Sequence, residues 1–198
     1  MNYLAHAFLS FRRPEILVGN MISDFVKGKK INDYPEAIRK GIRLHRLIDS
    51  FTDAHEATKE AKRFFRPHYR LYAGAFVDVV YDHFLANDNS EFKQDQLMDF
   101  STETYTSLNR FTEQMPEVFR EMLSHMERQN WLYNYKYRWG IQKSFGGLVR
   151  RAKYLSESNT AYIVFEQHYK DLSACYSAFF PEVKQMALAY FQSLFQAD

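Results

Sequence analysis

The sequence predicts an all-α chain, a single-domain helical bundle spanning residues 1–198, on three observations. Gly 7 and Pro 5 amount to roughly half the usual share of chain breakers, too few for a sandwich or barrel that turns every ~8–12 residues. Apolar residues, 46% of the chain, recur at three- and four-residue spacing rather than in strict alternation. The length is enough to bury a large core without covalent staples.

Each element has its own grounds. Met1-Asn2-Tyr3-Leu4-Ala5-His6 opens a first short helix. Ile16, Leu17, Met21, Ile22, Phe25 and Val26 carry helical spacing over 15–26; Gly28 ends that helix, and 29–34 reads as a loop. Pro35 takes a first helical position, and Ile38, Ile42, Leu44, Leu47, Ile48 and Phe51 extend a helix to about Asp53. Pro67, tolerated in a first turn, opens the next one. Its broad apolar face is Leu71, Ala75, Phe76, Val79, Val80, Phe84 and Leu85, and Asn87-Asp88-Asn89 stops it. Helices follow over 92–111 and 116–126 around a break at Met115-Pro116, while 129–140 has no regular period. Helices resume over 145–154 and 162–180, and Pro181 starts a last one to about Phe195.

Composition excludes several classes. A net charge of +2 with an ordinary apolar fraction argues against disorder. One cysteine, Cys175, cannot pair within the chain; it suits a reducing compartment and reads as core rather than nucleophile. The apolar start is broken by His6 and followed by Arg12 and Arg13, the reverse of a signal peptide, and no run approaches the ~18 apolar residues of a membrane span. The expectation is a soluble cytoplasmic protein with no membrane partner. Charge is unevenly spread: +4 over residues 1–50, +7 over 128–156, and −9 elsewhere. Two basic regions suggest a docking face for an anionic partner, the alternative being a merely solvated surface.

The telling ionisable residues lie inside apolar helices. Asp78 and Asp82 are one turn apart in a stretch with no other charge, beside His83. Two stacked carboxylates need compensation, either by a divalent metal or by Arg residues and helix N-termini. His45, Asp49 and Asp53 form an i, i+4, i+8 row, which either ligates one ion or leaves His45 bonded to Asp49 with Asp53 as a cap. Asp24 sits between apolar residues near a helix C-terminus, where the macrodipole disfavours an anion. His6 either adds a ligand or fills the core. Mixed His and carboxylate ligation suits Mn, Fe, Zn or Mg, and no phosphate loop, nucleophile elbow or dinucleotide fingerprint is present.

Met1-Asn2-Tyr3-Leu4-Ala5-His6, Gly19-Asn20-x-x-x-Asp24-Phe25-Val26-x-Gly28, Gly41-Ile42-x-x-His45-Arg46-x-Ile48-Asp49-x-x-Thr52-Asp53 and Asp78-x-x-x-Asp82-His83-Phe84-Leu85 together resemble the bacterial acyl carrier protein phosphodiesterases. The match is strongest over 1–90 and weaker through Trp131, Leu132 and Gly147. The resemblance implies an all-helical hydrolase, distantly similar to the HD phosphohydrolases, that uses Mn²⁺, with Mg²⁺, Fe²⁺ or Zn²⁺ as alternatives. It implies removal of the 4′-phosphopantetheine arm from holo acyl carrier protein, a small acidic substrate. One departure is that the adjacent pair here is Asp82-His83, and His45 precedes Arg46, so an HD ligand set does not transfer.

On this reading Asp24, His45, Asp49, Asp82 and His83 hold the metal or orient the attacking water, with Asp78 in or just behind that shell and Arg46 stabilising charge at phosphorus. Asp24, Arg46 and Asp78 are the catalytic candidates. Arg39, Lys40 and Arg43 precede the His45 cluster as docking candidates, and Trp131 and Tyr135 either line the pantetheine path or pack in the core. Two other functions compete. One is an HD-like phosphohydrolase of a nucleotide or other small phosphodiester. The other is a non-catalytic nucleic-acid binder, because 128–156 interleaves aromatics with Lys and Arg.

Overall fold

The computed structural model describes residues 1–195, and among them every regular element is a helix. The α-helices are α1 (Tyr3–Phe8), α2 (Pro14–Ile22), α3 (Glu36–Ala54), α4 (Glu56–Tyr69), α5 (Ala73–Ala86), α6 (Gln96–Asn109), α7 (Glu117–Arg128), α8 (Trp131–Asn134), α9 (Arg138–Arg151), α10 (Asn159–Gln167) and α11 (Tyr169–Ser193). All eleven contribute to one buried apolar cluster. The all-α expectation holds.

α2 and α3 pack unusually closely because each offers a glycine at the crossing. A Cβ on Gly19 would overlap the Ile38 carbonyl oxygen, and one on Gly41 the Ile16 carbonyl oxygen. This contact carries the backbone of Asn20 up to His45. α2 ends in a 3₁₀ turn, Ser23–Phe25, which presents Asp24 beside α3, and the expected loop over 29–34 lies largely in a second 3₁₀ turn, Gly28–Asp33.

Pro35 and Pro116 stand at helix N-termini as expected, but Pro67 and Pro181, also read as helix starts, lie inside helices instead. Pro67 sits in the last turn of α4, whose first eleven residues had no assigned element. There the buried Thr58, Ala61, Phe65 and Tyr69 hold one face against the core, and losing a single terminal backbone bond does not undo that packing. Pro181 interrupts α11 without ending it, since Phe179, Phe180, Val183 and Ala187 continue the buried stripe across it. Conversely, the helix expected over 162–180 divides at His168, where the backbone leaves the helical region at φ −108°, ψ 23°. The unassigned 129–140 stretch contains the short α8, entered through Asn130 at φ 45°, ψ 57°.

α4 and α5 meet at a tight corner, a 3₁₀ turn over Arg70–Tyr72. Arg70 takes φ 45°, ψ −115°, a conformation that favours glycine. Arg70→Gly is therefore expected to stabilise the fold by about 1 kcal/mol in urea or thermal unfolding. A less stable variant would mean that the arginine side chain contributes more than its backbone strain.

Candidate metal centre

α1, α2 and α3 bring two histidines together. The rings of His6 and His45 are buried and stacked, with centroids 3.9 Å apart and 14° between planes. Asn20 orients both. Its side-chain oxygen lies 2.8 Å from His6 Nδ1, and its backbone oxygen 2.7 Å from His45 Nδ1. The Asn20 amide nitrogen donates to the His6 carbonyl (2.8 Å) and to Ser10 Oγ (3.0 Å), so the oxygen is the end that faces the imidazole. Because those oxygens only accept, both Nδ1 atoms carry a hydrogen, and the Nε2 atoms are left facing the cluster.

His45 Nε2 lies 3.0 Å from Asp49 Oδ2 and 3.3 Å from Asp24 Oδ1. His6 Nε2 lies 3.2 Å from Asp49 Oδ1 but is not aligned for a hydrogen bond, and it is a buried nitrogen with no hydrogen-bond partner. Burial pulls the His45 imidazole down, but hydrogen bonds and charges from Asp24 and Asp49 outweigh it and raise its pKa to about 9. Burial, with His45 alongside, pushes His6 down to about 4 and keeps it neutral. Burial opposes the charge on Asp49, yet its hydrogen bond with His45 leads the contributions holding the carboxyl far below the usual range. Asp24 is lowered by its hydrogen bond with His45.

A neutral His6 thus turns a lone pair toward an anionic oxygen, an arrangement that a cation between them relieves. Ligand atoms of His6, His45 and Asp49 all lie within 4.8 Å of one another. Two imidazoles and a carboxylate, with Asp24 bordering them, fit a divalent ion of the Mn, Fe or Zn type. To hold a cation, His45 would give up the proton on Nε2. The orphaned nitrogen of His6 is the observation that favours a metal over a satisfied core pair.

The other carboxylates have different partners. Asp82 is fully buried beneath α1, where its two oxygens accept from the backbone N–H groups of Leu4 (2.8 Å) and Ala5 (3.1 Å). Burial raises its carboxyl to about 7 against those two bonds. Asp78 lies at the rim, 30% exposed, with Oδ1 accepting from the Met1 amine at 3.0 Å; that amine also approaches Asp49 at 3.5 Å. Amine and backbone donors compensate this pair, so the proposed Asp82 ligand is replaced by a helix anchor. His83 is also not brought to the cluster: one residue step, a rotation of 100° about the helix axis, separates it from Asp82, and its nitrogens meet the Tyr135 carbonyl (2.7 Å) and the Tyr169 hydroxyl (3.1 Å). Asp53 pairs with Lys62 at 2.6 Å.

Comparison with known proteins decides the family. The family model for acyl carrier protein phosphodiesterase matches residues 1–183. The chain belongs to the acyl carrier protein phosphodiesterase family. Relatives bearing that name include one from Photorhabdus laumondii, 32% identical over 188 residues (94% of this chain, 95% of that protein), and one from Klebsiella pneumoniae strain 342, 31% identical over 94% and 97%. A Yersinia pestis relative is 30% identical over the same shares. No solved structure matches.

In this acyl carrier protein phosphodiesterase family member, several proposed contact residues are engaged within the chain. Arg39 and Arg43 both pair with Glu36, and Lys40 Nζ donates to the Leu194 carbonyl at 2.9 Å. Arg46 is exposed on the flank of α3 beside His45 and donates to the Val26 carbonyl at 2.9 Å. Tyr135 is buried, its hydroxyl accepting from Asn2 at 2.9 Å, and is a packing residue rather than an open lining. Trp131 is half-buried and donates to Gln129. The aromatic faces of 128–156 hold the chain's own cations: Lys136 lies over Tyr133 and Lys143 over Trp139. Among the described residues no helix is long and apolar enough to cross a membrane.

Asn20 is the residue to which the sequence alone assigns no role, and His6 is the one it leaves open between ligand and core. Both carried the signal used for Asp78: a polar group inside an apolar helix. Asn20→Ala should weaken Mn²⁺ binding about 10- to 100-fold, because it frees the His6 ring, while the backbone contact to His45 survives. Calorimetric titration of the folded variant checks this; an unaltered affinity removes Asn20 from the centre.

Proposed function

We propose that the chain hydrolyses the phosphodiester joining 4′-phosphopantetheine to the serine of holo acyl carrier protein, giving the apo protein. Membership of the family supports the reaction, and the convergence of His6, His45 and Asp49, with one nitrogen lacking any partner, supports its chemistry. Those three residues would hold a divalent cation, Mn²⁺ first and Mg²⁺, Fe²⁺ or Zn²⁺ as alternatives. Such an ion lowers the pKa of a water and polarises a phosphoryl oxygen when bound.

The chain's own groups account for the rest. Asn20 keeps both Nε2 atoms facing inward. Asp24, 68% exposed where Asp49 is 41% exposed, lies on the open side, where its carboxylate can take a proton from the attacking water. Asp78 and the Met1 amine balance charge behind Asp49. Arg46, on the same flank of α3, supplies guanidinium N–H groups to a phosphoryl oxygen. The whole chain acts as one catalytic domain in the cytoplasm.

Incubating holo acyl carrier protein with this protein and Mn²⁺, then weighing the intact carrier, tests the reaction. Loss of the prosthetic group that chelator prevents is the expected result; an unchanged carrier with all four metals rejects it. Asp24→Ala should lower kcat about 10²-fold or more with little effect on fold. An unchanged kcat removes Asp24 from the scheme.

A further inference from the structure

We infer that the α4–α5 corner, with Leu71 at its tip, is the surface on which the carrier protein docks; this rests on the function proposed above. A single exposed leucine is ordinary on a protein surface, but Leu71 is 99% exposed and follows directly on the strained backbone of Arg70. The corner thus holds an apolar side chain wholly in water. Behind it runs a row of cations. Lys59, Lys62, Arg63 and Arg66 fall at i, i+3, i+4 and i+7 on α4, sharing one face, and Arg70 follows. Lys59 and Arg63 pair with exposed neighbours on their own helix, whereas Arg66 and Arg70 pair with no carboxylate among the described residues.

The row leads to the metal centre. Lys62 packs against Gly74 of α5, where a Cβ would lie 3.2 Å from its Cε, and it pairs with Asp53. One turn beyond Gly74 is Asp78, at the rim of the His6–His45–Asp49 cluster. Leu71 therefore stands about 10 Å from Asp78 along the corner and α5, at 1.5 Å per residue. An acidic protein with an apolar patch would seat that patch on Leu71 and its carboxylates on Arg66 and Arg70, leaving its prosthetic group pointing toward the centre. By contrast Arg39, Lys40 and Arg43 already have partners within the chain.

Steady-state hydrolysis of holo carrier by the full chain tests this. Leu71→Ser should raise KM about tenfold or more with kcat retained, as expected from losing one buried leucine contact. Arg66→Glu with Arg70→Glu should raise KM further and flatten its dependence on salt, while Lys93→Glu, half that charge change on an exposed residue elsewhere, leaves KM within about twofold. Leu71 touches solvent alone, so thermal melting should match the parent. Normal KM in Leu71→Ser overturns the docking surface. So does a Leu71-dependent dimer in sedimentation with KM unmoved, or a steep KM increase in Arg39→Glu with Arg43→Glu but none at Leu71. A parent chain that leaves holo carrier intact overturns both this inference and the function on which it rests.

Discussion

His6→Ala should abolish the effect of Mn²⁺ on this protein. His6 and His45 provide the two Nε2 atoms of the cluster, and only His6 has no other partner for that nitrogen. Removing it leaves Asp49 and His45 joined as an ordinary ion pair, with the proton on His45 neutralising what a metal would. Hydrolysis should fall roughly 10³-fold, the scale on which a metal's several kcal/mol of charge stabilisation is lost. Stability supplies a second readout. A cation at 100 times its Kd raises the parent's unfolding free energy by about 2.7 kcal/mol, and His6→Ala should show no such increase. Measured with chelator, the variant should still melt cooperatively, though lower, since the Asn20 side-chain oxygen loses the imidazole N–H that donates to it and the core gains a small cavity. A variant that keeps both its Mn²⁺-dependent melting shift and its turnover would falsify the centre as drawn. His45→Ala should match it in turnover, and the double variant should be little worse than either, because ligands of one ion act as a unit.

Why His6 was legible only as one of two options follows from where its partners lie. Sequence spacing reports neighbours one turn apart on a helix, and it correctly joined His45 to Asp49 on α3. It cannot report that α1 lays His6 flat on His45, a contact set by the crossing of α1, α2 and α3. The same limit explains Asp82 and His83. Their buried positions were readable from the apolar run around them, but burial does not name the partner. For Asp82 the partners are backbone N–H groups, which no residue type advertises. For His83 they are a backbone carbonyl and a tyrosine 86 residues away. Charge counts mislead for a related reason: the +4 of residues 1–50 includes Arg39 and Arg43, whose charge Glu36 already offsets. The α4 row is masked in the charge count because Glu56, Glu60 and Asp53 pair with Lys59, Arg63 and Lys62, which leaves Arg66 and Arg70 as its cations without a carboxylate partner among the described residues.

Gly41→Ala should be among the most damaging single methyl groups that this chain can receive. The new Cβ would overlap the Ile16 carbonyl oxygen, with Gly19 Cα 2.9 Å and Asn20 N 3.0 Å away. All three are backbone atoms inside a helix, so no rotamer change relieves the clash, and α2 must move off α3. Overpacking of side chains costs about 1–3 kcal/mol; against fixed backbone the loss should exceed that, reaching roughly 4 kcal/mol or complete unfolding. That is a large part of the ~5–15 kcal/mol available to a domain. The lost packing and the lost chemistry are coupled here. Displacing α2 carries Asn20 and Asp24 away from His45, so whatever folded fraction remains should bind Mn²⁺ weakly. Gly147→Ala is the matched comparison within α9: its Cβ would meet only the flexible Arg150 side chain at 3.7 Å. With the same atoms added in a helix interior, the propensity gain of about 0.5–1 kcal/mol should win, and the variant should melt at or above the parent. Urea unfolding of the two variants separates the explanations. If Gly41→Ala is as stable as Gly147→Ala, then α2 and α3 are not in backbone contact, and the Asn20 bridge that sets both imidazoles loses its structural basis.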